Sequence, residues 1–194
     1  MPLTAILTAD THRRMPWKNG GGETVEIAVS PHGAALDDFD WRVSMATVAS
    51  DGPFSIFPGT DRTLSILAGN GMSLEIDVHA PVVLTQQSEP FAFAADIAVM
   101  ARLQAGPITD LNVMTRRDGF VHKVERLHIG LNWRGTLPAA LSLVLCHDGK
   151  AAFELAGERG SLKTGDVLMI EGHCGAALTL AGAAHCYLIV ITAI

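Results

Sequence analysis

What this sequence lacks narrows it before any motif is read. It has no His-x-His pair, no CxxC, no Gly-x-Ser-x-Gly and no run of Lys or Arg. A histidine-carboxylate metal site on a strand calls for two imidazoles on one face, two residues apart. His12, His32, His79, His122, His128, His147, His173 and His185 are scattered instead, so neither a native metal nor another cofactor is expected. The missing Gly-x-Ser-x-Gly elbow lowers the expectation of hydrolysis, although a triad assembled in space leaves no sequence trace. Fourteen Lys and Arg against twenty Asp and Glu leave a net charge of -6, and the densest basic series, Arg116, Arg117, His122, Lys123, Arg126 and His128, is interrupted. That is a poor footprint for nucleic acid but enough for one small anion.

Three cysteines, Cys146, Cys174 and Cys186, are an odd number in or beside apolar segments, which reads as buried free thiols in a reducing compartment. The first ten residues have neither a basic n-region nor an adequate apolar h-region, and the apolar stretch Tyr187 to Ile194 is too short to span a bilayer. A cytoplasmic protein with no membrane partner is the expectation.

What is present is strand grammar. With 48% apolar and 18% charged residues, 194 residues can bury a sizeable core. Val25, Ile27 and Val29 alternate with Thr24, Glu26 and Ala28; Trp41, Val43 and Met45 alternate with Arg42, Ser44 and Ala46. Arg62 to Leu67 is a further strand, and Gly69-Asn70-Gly71 predicts a tight hairpin into Met72 to Asp77. Ala94 to Leu103 reads as a loop with at most a short helical turn. In the last third, Leu141 to Cys146, a turn at Asp148-Gly149, Ala151 to Leu155, and Leu162-Lys163-Thr164-Gly165-Asp166-Val167-Leu168 continue the pattern. The hairpin at Leu64 to Ile76 and the segment Leu141 to Leu155 look like one construction used twice. The expectation is an all-β, cupin-like double β-barrel, a bicupin of jelly-roll type: one compact unit with barrels at about residues 12–118 and 119–194.

The polar residues that could carry function cluster in the first half. Met15-Pro16-Trp17-Lys18-Asn19-Gly20-Gly21-Gly22 joins an aromatic plate, a cation and an amide to three glycines, which let main-chain amides approach an anion. A surface lead-in whose tryptophan plugs the barrel end fits these residues as well. Arg42, Arg62 and Arg116 sit on strands or at a strand edge, and a guanidinium there needs an anionic partner. Asp61, Asp110, Glu23 and Glu125 could supply structural salt bridges; otherwise the arginines read a ligand carboxylate, with Asn19 or Asn112 on a neutral polar group. Phe54, Phe57, Phe91, Phe93 and Trp133 are read as core.

Taken together and in order, Met15 to Gly22, Phe39 to Ser44, Asp51 to Ser55 with Phe57 to Gly59 and Asp61-Arg62, and Asp110 to Arg116 resemble the HutD/Ves family. The resemblance implies a metal-free bicupin linked to histidine utilisation: a non-enzymatic regulatory or accessory protein that binds a small anion, with N-formyl-L-glutamate as the proposed ligand. It carries ligand-binding roles onto Trp17, Lys18, Asn19, Arg42, Ser44, Arg62, Asn112 and Arg116. Two alternatives stay open. One is a metal-independent enzyme acting on a small carboxylate or sugar derivative, with Glu23, His122 or Glu125 as acid or base. The other is a structural homodimer module whose polar cluster only closes the barrel.

Overall fold

Period-two alternation of apolar and polar residues forces strands wherever one face can be buried. The computed structural model of the protein describes residues 2–17, 20–77 and 80–194. Apart from a single 3₁₀ turn at Ala9–Thr11, the regular elements are strands. The N-terminal unit spans Arg13–Val121 with Ile194; the C-terminal unit combines the segment up to His12 with His122–Ala193.

In the N-terminal unit, β2 (Arg13–Pro16), β3 (Gly22–Ser30), β4 (Trp41–Val48), β6 (Thr60–Ala68), β9 (Phe91–Ala94) and β11 (Ile108–Arg116) form a sheet of order β2-β3-β4-β11-β6-β9. A second sheet, of β5 (Gly52–Pro53), β7 (Met72–Ile76), β8 (Val82–Leu84) and β10 (Val99–Leu103), runs β5-β10-β7-β8. Ala46, Val48, Leu64, Ile66 and Ile108 of the first sheet share one core with Met72, Leu74, Ile76, Val99 and Ala101 of the second. Leu64, Met72 and Leu74 are fully buried, each such side chain stabilising the fold by roughly 1.5–3 kcal/mol.

In the C-terminal unit, β1 (Leu3–Leu7), β12 (Phe120–Ile129), β13 (Asn132–Thr136), β14 (Leu141–Leu155), β15 (Glu158–Lys163), β16 (Val167–Glu171) and β17 (Ala177–Ala193) make one sheet. Long strands β14 and β17 pair throughout, but β14 takes β16 along its first half and β15 along its second. Both halves of each long strand line a common core, with Val144 and Leu155 from β14 and Leu178 and Leu188 from β17. The Gly165-Asp166 turn is pinned by the Asp166 carboxylate, which accepts the Lys163 amide at 2.9 Å and the Ala9 amide at 3.1 Å.

Three expectations are corrected. The double β-barrel is not formed: the arrangement is all-β, with two sheets sharing a core in the N-terminal unit and one sheet in the C-terminal unit, but among the described residues no sheet closes on itself. The cause lies at the glycine turns. Gly69-Asn70-Gly71 makes no hairpin; β6 pairs with β11 and β9, while β7 pairs with β10 and β8, so the chain changes sheet there and hydrogen bonding stops. Gly71 has φ +99 and lies so close to the Leu84 carbonyl that a Cβ would stand 2.2 Å from its oxygen. At the corresponding place in the C-terminal unit, the turn expected at Asp148-Gly149 is an irregularity within β14, at Cys146/Asp148, where the strand continues. Gly149, at φ +84, meets the Ala183 carbonyl in the same way.

The second correction is Val99 to Leu103, a strand rather than a loop. Val99 and Ala101 point into the core while Met100 is exposed, and five residue pairs join the segment to β7. Tertiary pairing overrides the weak local signal from its alanines. Third, Cys146 and Cys186 are buried free thiols, but Cys174 is exposed.

Candidate functional site

The inner face of the six-stranded sheet is apolar at one end and polar at the other. Along β4 it carries Val48, Ala46, Ser44 and Arg42; along β11, Ile108, Asp110, Asn112, Met114 and Arg116. Register places Asp110 beside Ala46 and Ile66, Asn112 beside Ser44 and Leu64, and Met114 between Arg42 and Arg62. Strand β3 adds Thr24 and Glu26 to this face, opposite Ala46 and Ser44. An irregularity after Glu26 shifts the β3 register. Glu26 then reaches the next row, where its carboxylate accepts the Arg42 Nε proton at 2.8 Å.

Arg42 and Arg62 are both 5% exposed. The Arg62 guanidinium lies 5.1, 5.3 and 5.8 Å from the ring centres of Phe54, Phe57 and Phe93, and its Nη2 donates to the Ser55 carbonyl at 3.3 Å. Burial brings its pKa down to about 10, with Asp110 opposing that shift and Arg42 adding to it. Asp110 is 1% exposed, and burial pushes its carboxyl up to about 7, although Arg62, Asn112 and the Ala46 backbone all favour the ionised form. The Asn112 side-chain amide donates to the Asp110 carboxylate.

Two charged donors on this face have no hydrogen-bond partner among the described residues: Arg42 Nη2 and Arg62 Nε. A buried charged donor left unpaired costs more than the ~1–3 kcal/mol of a neutral group. Arg116 is on the same face one step further, opposite Thr60, with its side chain 41% exposed and 3.8 Å from the Asp118 carboxylate. It stands at a cleft of about 430 Å³ formed with Leu36, Phe39, Ser55, Phe57 and Thr60. Phe57 and Ser55 thus belong both to this cleft and to the surroundings of Arg62.

The eight residues singled out from sequence are distributed as follows. Arg42, Ser44, Arg62 and Asn112 meet on the polar inner face; Arg116 lies at its outer end, in the cleft. Trp17 packs against the apolar part of the same core and donates its indole N–H to Thr24 at 2.8 Å. Lys18 and Asn19 lie outside the described residues. The acid-base candidates Glu23 and Glu125 are engaged by Arg14 at 2.6 Å and by Lys123 at 3.1 Å. Glu26 was missed, although its alternation with Thr24 on β3 was readable; a glutamate on a half-buried strand reads as solvent-facing until the strand beside it is known. Asp110 was weighed only as a salt-bridge partner. Within the basic series, Arg117 binds Asp61 at 2.8 Å and Asp96 at 3.0 Å. Among the described residues, no group of three or more His, Cys, Asp or Glu is placed to hold a metal ion, and no helix is long and apolar enough to cross a membrane.

The sheets define an all-β, cupin-related protein with two buried arginines on an interior sheet face. A cupin 2 conserved barrel domain protein from Leptotrichia buccalis, at 12% identity and a TM-score of 0.54 over 88% of each chain, shares the fold alone. The chain belongs to the HutD family, which it matches over residues 9–188. It is 36% identical over 182 aligned positions to Protein Ves of Citrobacter koseri, covering 83% of this chain and 94% of that protein. A conserved protein of unknown function from Pseudomonas aeruginosa has a crystal structure with a TM-score of 0.90 at 33% identity, covering 98% of this chain and 99% of that one. HutD from Pseudomonas fluorescens, in a formate condition, superposes with a TM-score of 0.84 at 32% identity, covering 99% of this chain and 100% of that one.

Proposed function

We propose that the protein is a non-enzymatic, small-anion-binding regulatory or accessory protein of histidine utilisation in the cytoplasm, and that its ligand is N-formyl-L-glutamate. The observation that carries this reading is the pair of unpartnered guanidinium donors, Arg42 Nη2 and Arg62 Nε, on one buried sheet face. A ligand carboxylate would complete both. The ligand offers a second carboxylate, for which Arg116 at the cleft is the available cation, and an amide that Asn112 and Ser44 suit by size and polarity. Lys18 and Asn19 belong to this proposal through the family resemblance.

Binding would be coupled to a proton. Ionised Asp110 competes with a ligand anion for Arg62, and protonation of Asp110 removes the competitor. Affinity for a carboxylate therefore falls as pH rises through about 7. Calorimetric titration with N-formyl-L-glutamate, urocanate and other histidine-pathway intermediates tests the reading. Saturable binding of the first that weakens above neutral pH supports it, and no heat across the panel removes the ligand assignment.

The same Asp110 favours a second reading, turnover, because a buried carboxyl near 7 suits a general acid or base. Substrate consumption by the parent protein that Asp110→Asn abolishes, with binding kept, would select the enzyme over the binding protein.

A further inference from the structure

The C-terminal unit carries a pair of histidines that the polar face of the other unit does not involve. His128 on β12 and His185 on β17 stand on neighbouring strands, both exposed. Their Nδ1 atoms are 3.2 Å apart. The ring centres are 4.5 Å apart and the planes meet at 51°. That is too close for two rings meeting end to end through their nitrogens, so the rings lie partly side by side with their Nδ1 atoms adjacent.

We propose that His128 and His185 form a two-imidazole site for a divalent transition ion of borderline softness, such as Zn²⁺, Ni²⁺ or Cu²⁺. Imidazole nitrogen sits about 2.0–2.1 Å from such ions, so two ligands at square or tetrahedral angles hold their nitrogens roughly 2.8–3.4 Å apart. The observed separation already lies in that interval. Without metal, one neutral ring donates Nδ1–H to the other. On binding, that proton moves to Nε2, so both Nδ1 lone pairs face the ion and both Nε2–H groups face solvent. Any ring protonated beforehand releases its extra proton. Two protein ligands leave the other coordination positions to water. With two exposed protein ligands, the site is a surface chelate of moderate affinity, distinct from a buried cupin centre.

The test uses tag-free full-length protein and Ni²⁺ alone, titrated by calorimetry at about pH 7.5. The expected result is one site per chain, weakened at least ~10-fold by His128→Gln and by His185→Gln, as loss of one of two ligands requires. His32→Gln, at another exposed histidine, and Cys174→Ser, at the exposed thiol, should leave that site intact. Both key positions are exposed, so melting temperatures should be unchanged, and a glutamine keeps the size and polarity of the ring it replaces. Unaltered binding in either key variant overturns the proposal, as does an equal loss in His32→Gln or Cys174→Ser.

Discussion

Replacing Asp110 by asparagine should flatten the pH dependence of stability between about pH 4 and 7. The carboxyl is fully buried between Asn112 and the field of Arg62, and its pKa is raised from 3.8 to about 7. Between these values the unfolded chain has lost the proton that the folded chain retains. The slope of unfolding free energy is then negative, about 1.4 kcal/mol lost per pH unit, and it levels off above the folded value. Over about three units the parent protein loses up to ~4 kcal/mol that Asp110→Asn does not, since the amide has no proton to release. Urea unfolding of both proteins at half-unit steps from roughly pH 4 to 8 gives the difference directly, because every other titrating group is common to the two. The variant gains relative to the parent as pH rises, and the gap is constant above about 7.5. A difference that stays constant across the whole range, or in which the variant loses relative to the parent as pH rises, would refute the burial argument for this carboxyl.

Further outcomes follow from the same geometry. Arg62→Met at pH 6, where Asp110 is mostly protonated, should leave stability within about 1 kcal/mol of the parent or raise it, because a buried cation is replaced by an apolar chain among Phe54, Phe57 and Phe93. Carboxylate affinity, read by calorimetry, should fall at least ~10-fold in that variant. Gly22→Ala should cost roughly 2–4 kcal/mol in a denaturation assay, since the added Cβ would stand 2.1 Å from the Thr47 carbonyl oxygen and 3.0 Å from the Trp17 ring. Gly52→Ala, with nothing within 4 Å, is the matched control and should be close to neutral.

Much of the site was legible because it rides on period two. Arg42 and Ser44 alternate with Trp41 and Val43, and Asn112 and Met114 with Leu111 and Val113, so their shared faces could be read from each strand alone. Which strands lie side by side could not. That β11 runs between β4 and β6, placing Met114 between Arg42 and Arg62, depends on pairings far apart in the chain. Glu26 was illegible for a related reason: its role depends on a register shift in β3 and on a neighbouring strand. Closure was misjudged at the glycines. Gly69 and Gly71 satisfy a hairpin and a sheet-changing corner equally well, and the choice is made by the close approach of the Pro107 and Leu84 carbonyls, which no local pattern records. Strand β1 shows the same limit, as its pairing with β16 brings residues 3–7 into the C-terminal unit across the length of the chain.

The most direct test of the central claim is a crystal structure of the protein soaked with N-formyl-L-glutamate near pH 6. The account predicts one ligand carboxylate within hydrogen-bond distance of both Arg42 Nη2 and Arg62 Nε, with Asp110 still against Asn112 and the remainder of the ligand directed toward Arg116. Ligand absent from that face at saturating concentration, with both donors still unpartnered, would contradict it.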